Sequence, residues 1–201
     1  MKKTGLLFLL TVFLFTSARL PQYEVGDTVK DFTLKNTDGK MISLSDYDNA
    51  KGIIVVFDCN TCPFSKAYND RIMELSKKYK KSDFPLIAIN ANDPGMSPGD
   101  SFEAMVAQAK KKGYDFPYLF DETQNVAKSF GATNTPHVFV LKKEEDTFKV
   151  AYVGAIDNNA KSENNVSKRY VEDAVDAILA DKAIPTTKTK AIGCGIKYRN
   201  S

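Results

Sequence analysis

The sequence predicts an α/β fold, a mixed central sheet with helices on both faces. Gly52-Ile53-Ile54-Val55-Val56-Phe57 is a short, β-branched apolar run of the kind that forms a buried central strand. A helix-period segment, Phe64 to Lys81 with Ala67, Ile72, Leu75 and Tyr79 along one face, separates it from a second buried run, Phe84 to Asn90. The resulting order is βαβαβ, then two adjacent strands and a last helix, and such an order buries its apolar faces in layers around one sheet.

The elements follow in chain order. Met1-Lys2-Lys3, the apolar stretch Leu6 to Phe15 and the small residues Thr16-Ser17-Ala18 have the three-part layout of a secretory signal. The stretch falls short of the roughly 20 apolar residues that a spanning helix needs. Residues 1–18 are therefore expected to be a signal peptide removed on export, leaving a domain over 19–184, a tail over 185–201 and no stable membrane insertion. Asp31 to Leu34 and Lys40 to Leu44 flank Asn36-Thr37-Asp38-Gly39 and read as a hairpin. Asp93 to Gly99, rich in Pro and Gly, must be loop, and Asp100 with Glu103 is expected to cap the helix carrying Phe102, Met105, Val106 and Ala109. Phe116 to Phe120 is a short segment, and Thr123 caps a small helix through Phe130. His137 to Leu141 and Phe148 to Val153 pair across a turn over Lys142 to Asp146, and Val171, Ala174, Val175, Ile178 and Leu179 stripe a final helix ending near Lys182.

Composition narrows the function. About 180 residues remain after the signal, enough for one well-buried domain. The net charge is +3, and the lysine clusters 77–78, 80–81 and 110–112 sit at helix C-termini, where cations suit the dipole. That distribution argues against a nucleic-acid partner. Three cysteines are too few for a disulfide scaffold.

The chemistry is expected at Cys59-Asn60-Thr61-Cys62-Pro63. A buried strand, two cysteines two residues apart and a helix opening at proline form the setting of a redox Cys-x-x-Cys, and no second cysteine pair favours zinc. Unpaired N–H groups and the positive end of the helix dipole are expected to face the first sulfur, making Cys59 the nucleophile and Cys62 the resolving thiol. The redox-active Cys59–Cys62 disulfide is then the only redox group required, with no cofactor and no metal.

The wider pattern resembles the thioredoxin-like redoxins, the TlpA/ResA-type and alkyl-hydroperoxide-reductase/thiol-specific-antioxidant-like group. The matching pieces are Val25-Gly26-Asp27 before Asp31-Phe32-Thr33-Leu34, the Cys pair, Thr135-Pro136, Phe116 to Glu122, Val153 to Asp157, and Gly193-Cys194-Gly195-Ile196-Lys197. The resemblance implies a thioredoxin fold with an N-terminal β-hairpin extension and a thiol–disulfide oxidoreductase acting on protein thiols and disulfides, recharged by an upstream dithiol reductase. It also implies that Pro136 is cis and that Thr135 offers a free backbone edge to an extended substrate segment.

Some positions depart from that pattern. Asp58 stands where thioredoxins have Trp, and Asn60-Thr61 replaces their Gly-Pro. Ile53 occupies the place of their buried acid, and Phe64-Ser65-Lys66 lacks the acid of ResA-type proteins, so no buried base serves Cys62. Asp58 is expected to point to solvent, and its charge to raise the Cys59 pKa. His137, the only histidine, is a candidate for tuning the pair, since an imidazolium near Cys59 would stabilise its thiolate. Two alternatives stand beside exchange. A thiol peroxidase needs Pro-x-x-x-Thr-x-x-Cys, which is missing before Cys59, and an SCO-like copper chaperone could use two cysteines and His137 but spaces its cysteines by three residues. Cys194, between two glycines, is a structural tail cysteine or an accessory thiol.

Overall fold

The structure, a computed structural model, describes residues 22–199, so the signal expected over residues 1–18 lies outside the described part. The described chain enters through β1 (Thr28–Val29) and the hairpin β2 (Thr33–Asn36) and β3 (Met41–Ser43). Asp38-Gly39 makes the hairpin turn. Gly39 takes a φ of 89°, open to a residue without Cβ, and the Asp38 carboxylate accepts the Lys40 N–H at 2.9 Å. β4 (Gly52–Phe57), α1 (Pro63–Lys80), β5 (Leu86–Asn90), α2 (Phe102–Lys112) and β6 (Tyr118–Phe120) supply the strand–helix alternation. The short helix α3 (Asn125–Phe130), β7 (Asn134–Thr135), the hairpin β8 (His137–Glu144) and β9 (Thr147–Gly154), α4 (Tyr170–Leu179) and β10 (Cys194–Gly195) follow.

Eight strands form one mixed sheet in the order β1-β9-β8-β4-β5-β6-β2-β3. β4 lies parallel to β5 and antiparallel to β8, so neither of its edges meets solvent and all of its residues are buried. Its side chains alternate between two cores. Ile53, Val55 and Phe57 join Ile89, Phe130 and Phe139 on one face, while Ile54 and Val56 meet Tyr68, Ile72 and Leu75 of α1 and Val171, Ala174 and Val175 of α4 on the other. The sheet thus carries α3 on one face and α1 and α4 on the other, a thioredoxin-like fold with the hairpin of β2 and β3 at its edge.

Two expectations change, and the tail is held in place. The β8–β9 strands run through the supposed turn, leaving only Glu145 and Asp146 between them, because Lys142 to Glu144 extend the ladder and Glu144 pairs with Lys149 at 2.9 Å. α2 is capped not by Asp100 but by Ser101, whose Oγ accepts the Ala104 N–H at 3.3 Å, because Asp100 is drawn inward by other donors. The tail does not hang free. The Val153 N–H donates to the Thr187 carbonyl and the Ile196 N–H to the Thr133 carbonyl, both at 3.0 Å, while the Asp93 N–H reaches the Lys197 carbonyl at 2.9 Å. The tail is strapped across the end of the sheet where the cysteines lie.

Candidate active site

β4 ends in Asp58-Cys59-Asn60-Thr61-Cys62, and the chain turns into α1 at Pro63. Proline suits the first helical position because its φ is preset and its missing N–H needed no partner. Cys62 thereby becomes the N-cap of α1, with φ −66° and ψ 127°. Both sulfurs of the pair are buried, the residues being 4% and 3% exposed, and all three cysteines are free thiols.

β7 meets the pair from across the sheet end. The Thr135-Pro136 bond is cis. Thr135 touches both sulfurs: its Oγ1 lies 3.1 Å from Cys59 Sγ, and its carbonyl oxygen 3.1 Å from Cys62 Sγ. Its backbone edge, expected to be free for a substrate, is occupied. β10 runs antiparallel to β7 with Cys194 opposite Thr135, and the Cys194 N–H donates to Cys62 Sγ at 3.4 Å.

The electrostatics of the pair favour Cys62, not the Cys59 expected from the sequence, as the more acidic thiol. The neighbouring Cys62 sulfur, burial and the Asp58 carboxylate all raise the Cys59 thiol. The Thr135 hydroxyl favours its thiolate but is outweighed, and the Cys59 pKa lies well above the ordinary thiol range. Cys62 is pulled well below that range by the Cys59 thiol, against the cost of burial, and further by Cys194, whose N–H donates to its sulfur. The Cys62 side chain makes no capping hydrogen bond, so the helix acts on it through its dipole. The Thr135 carbonyl opposes this, since it has no proton to give a thiolate. One carbonyl stands against the helix N-terminus and the Cys194 N–H, and the balance favours the thiolate at Cys62.

Two buried carboxylates flank the loop. Asp58, expected at the surface, is 7% exposed, and its Oδ1 has no hydrogen-bond partner. Burial pushes its pKa up to about 6. Asp100 accepts from the Asn60 N–H at 2.7 Å, the Thr61 hydroxyl at 2.7 Å, Asn92 Nδ2 at 2.8 Å and the Ser97 hydroxyl at 2.6 Å. Burial works against its charge, but these donors more than offset it and hold the carboxyl below the usual range. The Tyr118 hydroxyl donates to Asn60 Oδ1 at 3.0 Å, so both residues between the cysteines are gripped. Asp100, Asn92 and Tyr118 are the functional positions that sequence reading missed.

His137 faces elsewhere. Its Nδ1 accepts the Thr133 N–H at 3.2 Å, and its ring packs 4.8 Å from that of Phe139. Burial lowers its pKa to about 4, so at neutral pH the imidazolium expected to tune Cys59 does not form. Among the described residues, no group of three or more His, Cys, Asp or Glu is placed to hold a metal ion.

The fold is thioredoxin-like, and the family and relatives make the protein an oxidoreductase. The chain belongs to the AhpC/TSA family, which it matches over residues 25–152. The solved structure of an uncharacterized conserved protein from Geobacillus kaustophilus is 34% identical, with a TM-score of 0.82 over 90% of this chain and 95% of that one. Thiol-disulfide oxidoreductase ResA of Bacillus subtilis is 25% identical over 154 residues, 74% of this chain and 82% of ResA. Chloroplastic peroxiredoxin Q of Sedum lineare is 28% identical over 106 residues, 53% of each chain.

Proposed function

We propose that the protein is an exported thiol–disulfide oxidoreductase that exchanges disulfides with protein partners through Cys59 and Cys62. The observation that carries the reading is the buried Cys59 and Cys62 pair at the N-terminus of α1, with Thr135 3.1 Å from each sulfur. In the reducing direction the Cys62 thiolate attacks one sulfur of a partner disulfide, and the partner's other sulfur leaves as a thiolate and takes up a proton. Cys59 then loses its proton and attacks Cys62 in the mixed disulfide. The partner is released with two thiols, and Cys59–Cys62 is left oxidised. Asp58, whose pKa burial pushes up to about 6, is largely ionised at neutral pH and is the acceptor assigned to the Cys59 proton. An upstream dithiol reductase restores the pair, and oxidation of a partner uses the same steps in reverse. The name of the ResA relative supports this chemistry. Export is supported by the layout of residues 1–18, and no described helix is long and apolar enough to cross a membrane.

The peroxiredoxin relative and the Cys62 thiolate favour peroxidase as a second reading. Counted back from Cys62, however, the peroxidase positions for Pro and Thr hold Val55 and Cys59. Of the described arginines a peroxide would need, Arg71, Arg169 and Arg199 are paired with Asp157, with Glu163 and Glu172, and with Asp93. The deciding assay compares dithiothreitol-driven reduction of a protein disulfide with turnover of hydrogen peroxide by the same preparation. Metal-free disulfide reduction that Cys62→Ser abolishes is the expected result. Peroxide turnover without disulfide reduction would overturn the reading.

A further inference from the structure

β10 sits where a partner's strand would have to sit. Its residue Cys194 lies opposite Thr135, and its backbone N–H is bonded to the sulfur of Cys62. The placement is built rather than incidental. A Cβ on Gly193 would collide with the Thr135 carbonyl oxygen, so glycine is what allows the strand to come this close. Asn134 Nδ2 donates to the Gly193 carbonyl at 2.9 Å, and the Ile196 N–H to the Thr133 carbonyl at 3.0 Å. Beyond them the Lys197 N–H donates to Asn92 Oδ1 at 2.8 Å, the Lys197 carbonyl accepts from Gln124 Nε2 at 2.8 Å, and the Tyr198 hydroxyl donates to the Ala132 carbonyl at 2.7 Å. Asn92 is also one of the donors that hold Asp100, so the tail and the cysteine loop share a support. The exposures differ in a telling way: Cys59 and Cys62 are buried, whereas Cys194 is only half-buried.

We propose that Cys194 is a third redox thiol, the port through which the buried pair exchanges electrons with its partners. The proposal rests on the thiol–disulfide reading above. In the oxidised protein the Cys194 thiolate attacks Cys62 Sγ, a Cys62–Cys194 bond forms, the Cys59–Cys62 bond breaks, and Cys59 leaves with the electron pair and takes up the proton that Cys194 gave up. A partner dithiol then attacks Cys194, Cys62 departs as a thiolate at the N-terminus of α1, and the partner's second thiol closes the partner's own disulfide, releasing Cys194. One disulfide has moved from the protein to the partner and no other oxidant is consumed. Read backwards, the same steps reduce a partner disulfide. β10 thus takes the role of an internal substrate strand, and its half-buried sulfur offers partners a more exposed point of exchange than the buried pair.

The test is a non-reducing peptide map of the full chain equilibrated in glutathione redox buffers, read for both linkages by mass spectrometry. The expected map contains Cys59–Cys62 and Cys62–Cys194 peptides. In Gly193→Ala, which keeps all three cysteines but crowds β10 off Thr135, the Cys62–Cys194 peptide should be lost and Cys59–Cys62 retained. Cys194→Ala should lose most of its turnover with a protein disulfide while still forming Cys59–Cys62. A wild-type map with Cys59–Cys62 alone, together with full turnover by Cys194→Ala, would overturn the relay and leave the exchange reading standing. A map with neither linkage would overturn both.

Discussion

Asp58 and Asp100 border the same cysteine loop, both out of contact with water, and the fold treats them in opposite ways. Asp100 collects donors from Asn60, Thr61, Asn92 and Ser97 and is held ionised. Asp58 keeps one carboxylate oxygen without a partner, and burial pushes its pKa up to about 6. One carboxylate is an anchor and the other is poised to exchange a proton. A buried acid is thus a structural element when its hydrogen bonds are complete, and a reactive one when they are not.

The largest effect is expected on removing the anchor. Asp100→Ala leaves several buried donors without an acceptor, and hydrogen bonds to a charged group are worth about 1.5–3 kcal/mol each, so a loss of at least about 3 kcal/mol is expected. Urea titration measures it directly. The wild-type contribution of Asp100 has a definite pH sense: with its folded pKa depressed, the stabilisation is full above the unfolded value of 3.8 and is lost as pH falls through the lower folded value. An Asp100→Ala protein with unchanged stability would erase the contrast between the two acids.

Asp58→Asn should act in the other direction. A carboxyl raised from 3.8 to about 6 costs the folded state about 2–3 kcal/mol once ionised. The variant should therefore be more stable than wild type by about that amount above pH 6, with the gain fading to nothing as pH falls to about 4. Its thiol exchange should slow at neutral pH if the carboxylate takes the Cys59 proton. Stability that responds equally at pH 4 and pH 8 would show that Asp58 does not titrate in this range.

His137 sharpens the same comparison with a smaller signal. Its pKa falls from 6.5 to about 4 on folding, so the stability associated with its neutral form is present above pH 6.5 and lost as pH drops toward 4. Over much of that window Asp58 changes stability in the opposite sense, and the wild-type curve should be flatter than that of either single variant. His137→Gln should lose the acid-side decline while its exchange rate keeps the wild-type pH profile, because the ring bonds Thr133 and not a cysteine. A pH–rate profile displaced by His137→Gln would restore the tuning role expected from the sequence.

The sheet, both hairpins and the major helices were readable because period-2 and helical spacing report burial directly, as Ile53 to Phe57 and Ile72 to Tyr79 illustrate. The Cys pair was readable from its strand–helix setting. What misled was local. Asp100 stands three residues before Glu103 in a sound capping pattern, and only the fold brings Asn60, Thr61 and Asn92 to its carboxylate. The bond between the Cys194 N–H and Cys62 spans 132 residues, beyond any local pattern. Pro63 belongs at the first helical position, which makes Cys62, not Cys59, the N-cap, and that placement is legible in the sequence.

Ultraviolet titration of the thiolate in wild type, Cys59→Ser and Cys62→Ser tests most directly which sulfur is the nucleophile. If Cys62 is the N-cap thiolate, wild type carries one thiolate well below the roughly 8.5 at which a free thiol ionises. Cys62→Ser should abolish it, while Cys59→Ser should keep it, since a serine hydroxyl still donates to Cys62. A low-pH thiolate that survives Cys62→Ser and disappears in Cys59→Ser would contradict the assignment and return the nucleophile to Cys59.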